Sequence, residues 1–277
     1  MLLCRSIAKG IRYAKRSETM NAKTVGFIGG GRVTRILLGG FKKAGISFEK
    51  IVVSDSNDDV LKKLQKEFPK IVLSAGNSLP AEQGIVFVSL HPPVMGAALN
   101  EIKAYLRPES LVISLAPKFT LAKIVENLGG FGRIVRMIPN APTIAADGYN
   151  PVFFSKAVPA ADKNELLALF SRIGKTPQVE EEKLETYALI TAMGPAYLWF
   201  QLYQLQELAG SFGLTEQEAQ QGISAMARGA VKTMCESGLP AIEVMNLVAS
   251  KPLKDDEETI KNMYKNKLEA FYKKLKS

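Results

Sequence analysis

Two patterns of apolar and polar positions divide this chain. Through its first two thirds, short apolar runs recur at Thr24–Ile28, Ile51–Val53, Ile71–Leu73, Ile85–Val88, Leu111–Leu115 and Ile134–Met137. Runs of this length, bounded by turn residues, read as buried β-strands. Between them the spacing turns helical: Val33, Ile36, Leu37 and Phe41 share one face, and Val60–Phe68 forms a second amphipathic stretch. Strands alternating with helices over short connections predict an α/β fold, a parallel, doubly wound sheet with helices on both faces. After about Val179 the strand-like runs stop. Leu184–Phe212 reads as a long apolar helix interrupted at Gly194-Pro195, and Thr215-Glu216-Gln217-Glu218 as a capping box opening the next helix. Ile260, Met263, Tyr264, Leu268, Phe271 and Leu275 fall on one face of a lysine-rich final helix. The expected organisation is an extension or targeting segment over residues 1–19, an α/β domain over 20–181 and an all-α domain over 182–277.

The sharpest local signal follows the first strand: Gly29-Gly30-Gly31-Arg32-Val33-Thr34. Between a strand and a helix, this spacing is the Rossmann fingerprint. The first glycine makes a tight turn, and the next lets the backbone approach a pyrophosphate seated on the helix N-terminus. Thr34 stands where a smaller residue is usual. The second strand ends at Ser54-Asp55-Ser56-Asn57, and Asp55 lies 26 residues after Gly29. An acid at that distance suits the ribose hydroxyls of NAD. Ser54, Ser56 and Asn57 could serve the 2′-phosphate of NADP, which Asp55 would repel. The balance leans slightly to NAD, and NADH against NADPH stays open.

Composition narrows the partners. Hydrophobic residues make up 47% of the 277, enough for a substantial core. The net charge of +9 is uneven: residues 1–19 carry +4 and residues 251–277 carry +3, leaving +2 for the body between. Nucleic-acid binding needs a basic face on the folded body, so this distribution argues against it. Cys4 and Cys235 form no metal-type cluster, and their scarcity fits a reduced, cytoplasmic compartment. His91 is the only histidine, which excludes a multi-histidine metal site. Residues 1–19 are rich in Arg, Lys and Ser, as a mitochondrial presequence would be, or they are an extension ahead of a start at Met20. Thr186–Gln206 carries no charged residue, a length near the ~20 residues of a membrane span. Its Gly-Pro pair and three glutamines favour a helix buried at a subunit interface, in a homodimer or higher oligomer, over a membrane segment.

Longer segments carry a specific resemblance. Gly26–Gly31, Ser89-Leu90-His91-Pro92, Ser114-Leu115-Ala116-Pro117-Lys118, Arg136-Met137-Ile138-Pro139-Asn140-Ala141-Pro142 and Gly194-Pro195-Ala196-Tyr197 resemble, in order and spacing, segments of the pyrroline-5-carboxylate reductases. The family forms of the middle three are Ala-Val-Lys-Pro, Ser-x-Ala-Ala-Gly and Arg-x-Met-Pro-Asn-Thr-Pro. The resemblance runs from residue 24 to about 250. It implies NAD(P)H-dependent reduction of a cyclic imine, with a dimer building each site from two chains. It implies cofactor contacts at Ile28, Gly29, Gly30, Gly31, Arg32, Val33, Asp55, Asn77 (after a one-residue shift), Ser89, Leu90, His91, Pro92, Leu115, Ala116 and Pro117. It implies substrate contacts at Thr191 and Ser250, no metal, and no assigned catalytic side chain.

The cofactor half keeps the family pattern better than the substrate half. His91 replaces the family's lysine, and Met193 stands where the family has a serine before Gly-Pro-Ala-Tyr. The family's Ser-Pro-Gly-Gly-x-Thr loop, which the resemblance says holds the substrate carboxylate and imine, is here Ser250-Lys251-Pro252-Leu253-Lys254-Asp255. The alternative is therefore a cofactor-binding dimer that has lost reductase activity and acts as a regulatory or structural partner.

Overall fold

The computed structural model describes residues 23–276. The expectations for residues 1–19, and Cys4 with them, lie outside the described residues. The described residues divide into two compact units, one ending at Ala188 and the other beginning at Leu189.

The first unit opens with β1 (Thr24–Ile28), α1 (Arg32–Lys43), β2 (Lys50–Ser54), α2 (Asp58–Glu67), β3 (Val72–Ser74) and the single turn α3 (Ser78–Ala81). It continues with β4 (Ile85–Val88), α4 (Pro92–Ile102), β5 (Leu111–Ser114), α5 (Leu121–Asn127) and β6 (Ile134–Met137). A 3₁₀ turn over Ala141–Ala145 leads to β7 (Gly148–Tyr149), β8 (Val152–Phe154), α6 (Ala160–Phe170) and β9 (Gly174–Lys175). The main sheet runs β3-β2-β1-β4-β5-β6-β8, parallel except for β8, which pairs antiparallel with β6. The strand order reverses between β1 and β4. β7 and β9 form a separate parallel pair.

Both faces of the sheet are covered, which explains why its strands read as unbroken apolar runs rather than alternating ones. Val25, Phe27, Ile85 and Phe87 enter one core with Leu37 and Phe41 of α1, Leu61 and Leu64 of α2 and Phe170 of α6. Phe27 stacks on Phe87 with ring centroids 4.7 Å apart. Ile28, Val86 and Val88 enter the other core with Met95, Leu99 and Ile102 of α4 and Ile124 of α5. Two close approaches need glycine. A Cβ on Gly26 would stand 1.9 Å from the Pro80 carbonyl oxygen, so α3 packs directly on β1. A Cβ on Gly40 would stand 2.4 Å from the Thr143 carbonyl oxygen, where the Ala141–Ala145 turn lies under α1.

The unit closes with α7 (Leu184–Tyr187), which passes into a π-helical turn, Ala188–Ala192. In the second unit follow α8 (Gly194–Ser211), α9 (Glu216–Glu236), α10 (Ala241–Asn246) and α11 (Glu257–Lys276). Gly194-Pro195 opens α8, where the missing proline N–H would have no intrahelical partner anyway. The interruption expected there is thus a π turn followed by a fresh helix start. The Tyr197 hydroxyl donates to the Leu189 carbonyl in that turn at 2.7 Å. Thr215 and Glu218 close the expected capping box. Among the apolar residues of this unit only Leu189, Ala219 and Leu275 are buried, while Phe200, Tyr203 and Phe212 are 68%, 71% and 79% exposed. Among the described residues no helix is long and apolar enough to cross a membrane.

Candidate functional site

The glycine turn joins β1 to α1 at the carboxyl edge of the sheet, beside the reversal of strand order. Open α/β sheets bind ligands at that position. Gly29 has φ +97°, a conformation that favours glycine, and its N–H donates to the Ser54 carbonyl at 2.8 Å. The Thr34 hydroxyl, fully buried, donates to the Gly29 carbonyl at 2.5 Å. The larger residue at the third fingerprint position therefore closes the turn from inside the helix. Gly31 precedes α1 with ordinary backbone angles, and a Cβ there would meet nothing within 4 Å. The first-turn amides of α1, at Arg32 and Val33, have no intrahelical acceptor.

Asp55, just past β2, uses both carboxylate oxygens on backbone. Oδ2 accepts from the Gly30 N–H at 2.8 Å, and Oδ1 accepts from the Asn57 N–H at 2.9 Å. The acid found by spacing thus clasps the glycine turn, and each oxygen keeps acceptor capacity beyond that bond. Asn57 caps α2, accepting from the N–H groups of Asp59 and Val60, and its helix begins with Asp58 and Asp59. Asn77 accepts from the Ser54 hydroxyl at 2.7 Å and donates to Glu101 at 2.9 Å, which ties the ends of β2 and α4 together.

Ser89, Leu90, His91 and Pro92 follow β4. The Ser89 N–H donates to the Ile28 carbonyl at 2.8 Å, holding this turn against the glycine turn. His91 is exposed at the cap of α4 and makes no side-chain cap hydrogen bond. The Ser89 and Ser114 hydroxyl oxygens are buried without a hydrogen-bond partner. Leu115, Ala116 and Pro117 follow β5, with Leu115 and Ala116 buried. Every cofactor residue expected from sequence thus lies at the carboxyl ends of β1, β2, β4 and β5 or in the turn after β3. A cavity of about 550 Å³ lined by Phe41, Phe48, Phe68 and Lys50 lies at the amino ends of the strands, on the opposite edge.

One group escaped sequence reasoning. Arg136 of β6, 1% exposed, donates through Nη1 to Glu181 at 2.7 Å and through Nη2 to Glu185 at 2.9 Å. The signal was an arginine inside an apolar strand, which must be paired if buried. Its partners lie 45 and 49 residues away, so spacing alone could not name them.

In the helical unit, Thr191 lies in the π-helical turn and Ser250 is exposed between α10 and α11. Beside Ser250, Lys251 donates to the Asn246 side chain at 3.0 Å, and Leu253 is 65% exposed. Tyr197 meets Tyr264 edge-on at 6.1 Å, and burial with the Tyr264 charge pushes its phenol above the usual range. Among the described residues no group of three His, Cys, Asp or Glu side chains is placed to hold a metal ion.

A family model described as NADP oxidoreductase, coenzyme F420-dependent, matches residues 24–118, the stretch that holds the glycine turn and the ends of β2, β4 and β5. The pyrroline-5-carboxylate reductase of Pseudomonas aeruginosa is 26% identical over 252 residues, covering 91% of this chain and 92% of that one. The structure of a pyrroline-5-carboxylate reductase from Coxiella burnetii matches with a TM-score of 0.65 at 26% identity, covering 92% of this chain and 94% of that one. A Plasmodium falciparum pyrroline carboxylate reductase, solved with NADP bound, shares the fold with a TM-score of 0.80 at 23% identity, over 93% and 98% of the two chains. Similarity along nearly the whole of both chains, together with a glycine turn at the strand-order reversal, makes the pyrroline-5-carboxylate reductases the proteins this chain resembles from end to end.

Proposed function

We propose that the protein is an NAD(P)H-dependent reductase of a cyclic imine, 1-pyrroline-5-carboxylate or a related acceptor. The observation that carries this reading is the glycine turn at the strand-order reversal, with open space over Gly31 and unpartnered hydroxyls at Ser89 and Ser114. That cradle fits a dinucleotide: the pyrophosphate on Gly29–Val33, the adenosine ribose near Asp55, and the nicotinamide end toward Ser89–Pro92 and Leu115–Pro117. When bound, a reduced nicotinamide supplies the hydride for the imine carbon. The protein's part is to orient the two reactants and keep water out. Thr191 and Ser250 are the proposed substrate contacts on the helical unit, and we place the enzyme in the cytoplasm.

The residues after β2 favour NADH. A 2′-phosphate at Asp55 would meet that carboxylate's like charge, with Asp58 and Asp59 adding two more acids in the first turn of the next helix. Calorimetric titration should show NADH binding roughly tenfold more tightly than NADPH, and Asp55→Ser should narrow or reverse that order. Absence of binding by either dinucleotide would remove the cofactor reading altogether.

The helical unit is proposed to pair with a second copy of this chain. Trp199, Phe200, Tyr203 and Phe212 form an apolar surface on and just after α8 that the described chain leaves exposed. Large apolar patches of this kind mark subunit contacts, and obligate interfaces bury roughly 2,000 Å² or more. Sedimentation at micromolar concentration should give a dimer or larger; a monodisperse monomer would refute the pairing.

The loop after Ser250 favours a weakened pyrroline-5-carboxylate site. Pro252 lacks an N–H and Leu253 carries a side chain, so fewer backbone donors can converge on a substrate carboxylate than in a glycine-rich turn.

A further inference from the structure

The Arg136 cluster lies outside every residue assigned above to the cofactor, yet it reaches the cofactor side of the sheet through two backbone amides. The Glu185 oxygen that accepts from Arg136 Nη2 also accepts the Lys118 N–H at 3.3 Å. The Glu181 oxygen that accepts from Nη1 also accepts the Leu121 N–H at 2.5 Å. Each carboxylate therefore bridges the guanidinium to one end of the turn that follows Pro117. Lys118 has φ +73°, a left-handed conformation that a non-glycine residue holds only when its surroundings impose it. Glycine occupies that position in the family segment that residues 114–118 resemble. Here a lysine is held in the glycine-like conformation, and the acceptor of its N–H is Glu185.

We propose that Arg136 is a positioning residue: through Glu181 and Glu185 it fixes the turn from Leu115 to Leu121, and with it the residues that face the nicotinamide end of the cofactor. This rests on the cofactor reading for its consequence, though not for its geometry. All the groups belong to the first unit, so the clamp needs no second copy. A planar five-donor guanidinium can hold two carboxylates in one arrangement, whereas a lysine ammonium cannot reproduce the fork. The pyrophosphate grip at Gly29–Val33 lies three strands away from β6 in the sheet order, so loosening the turn should leave most cofactor affinity in place.

The test uses amide hydrogen exchange on the cofactor-free full chain. Removing Arg136 outright would leave two carboxylates without their cation and risks unfolding, so Arg136→Lys and Glu185→Ala are the working variants. In Arg136→Lys, amides 118–121 should exchange at least fivefold faster, while those of residues 29–33 stay within twofold. In Glu185→Ala, where Glu181 keeps its pair, the increase should be greatest at Lys118. Unchanged exchange at 118–121 in both variants would overturn the clamp. This arm is read without cofactor, so it judges the clamp whether or not the dinucleotide reading holds. In steady state, both variants should lose about tenfold or more in kcat with NADH affinity within threefold. Faster exchange with kcat unchanged would overturn the positioning role.

Discussion

Gly31→Val should raise the dissociation constant for NADH by about 100-fold while leaving the fold intact. A Cβ at Gly31 meets nothing within 4 Å, and the residue already has φ −70°, so the branch point of a valine enters open space without backbone strain in the free protein. Its thermal midpoint should stay within about 2 °C of wild type, as for other substitutions made in open space. The cost falls on the bound state alone. The two methyl groups occupy the space through which a pyrophosphate must reach the first-turn amides of α1. Loss of one or two charge-assisted hydrogen bonds at about 1.5–3 kcal/mol each gives the hundredfold figure. Calorimetry against wild type checks it, and equal affinity in a folded variant would show that the turn is only a turn.

Gly26→Ala should do the reverse. This glycine sits in the middle of β1, three residues before the glycine turn, and its fingerprint context invites a functional reading. Its geometry says otherwise. An added Cβ would lie 1.9 Å from the Pro80 carbonyl oxygen and 2.6 Å from the carbonyl carbon, both backbone atoms that cannot rotate away. α3 must therefore be pushed off the sheet, opening the core around Ala81 and Val86. Overpacking of this severity costs about 3 kcal/mol, a fall of roughly 6–12 °C in thermal midpoint for a unit of this size. Cofactor affinity of whatever remains folded should change little. A midpoint unchanged within 2 °C would mean that α3 is far more loosely held than its contacts indicate.

Most of the first unit was legible because its strands are buried on both faces. Such strands show as apolar runs, and the glycine turn between one run and a helix is hard to mistake. β8 was not legible as an antiparallel partner: Val152–Phe154 is only three residues long, and nothing in Val-Phe-Phe distinguishes direction. The helix Pro92–Ile102 was also missed, since its apolar residues spread around much of the helix and leave a weak period. For the site, Asp55 was found by its distance from Gly29, but the bond it makes to the Gly30 N–H is a matter of three dimensions. The role of Thr34 was hidden similarly: sequence marked it as oversized, and the fold uses the extra hydroxyl to close the turn. Arg136 shows the limit most clearly. A charge in an apolar strand announces that a partner exists, and only the packing of residues 181–185 against the sheet identifies it.

Hydride transfer from a reduced nicotinamide to a cyclic imine can be measured directly. The direct measurement is steady-state oxidation of NADH and of NADPH by the full-length protein, with 1-pyrroline-5-carboxylate and a panel of related cyclic imines as acceptors. Turnover should require both cofactor and imine and run faster with NADH. With 1-pyrroline-5-carboxylate its catalytic efficiency should lie below the ordinary enzyme range of ~10⁴ M⁻¹s⁻¹, because of the loop from Ser250 to Asp255, and should rise when Ser-Pro-Gly-Gly-Thr-Thr is placed there. A folded protein that binds NADH tightly yet oxidises it with no cyclic imine would contradict hydride transfer and leave a cofactor-binding protein without reductase activity.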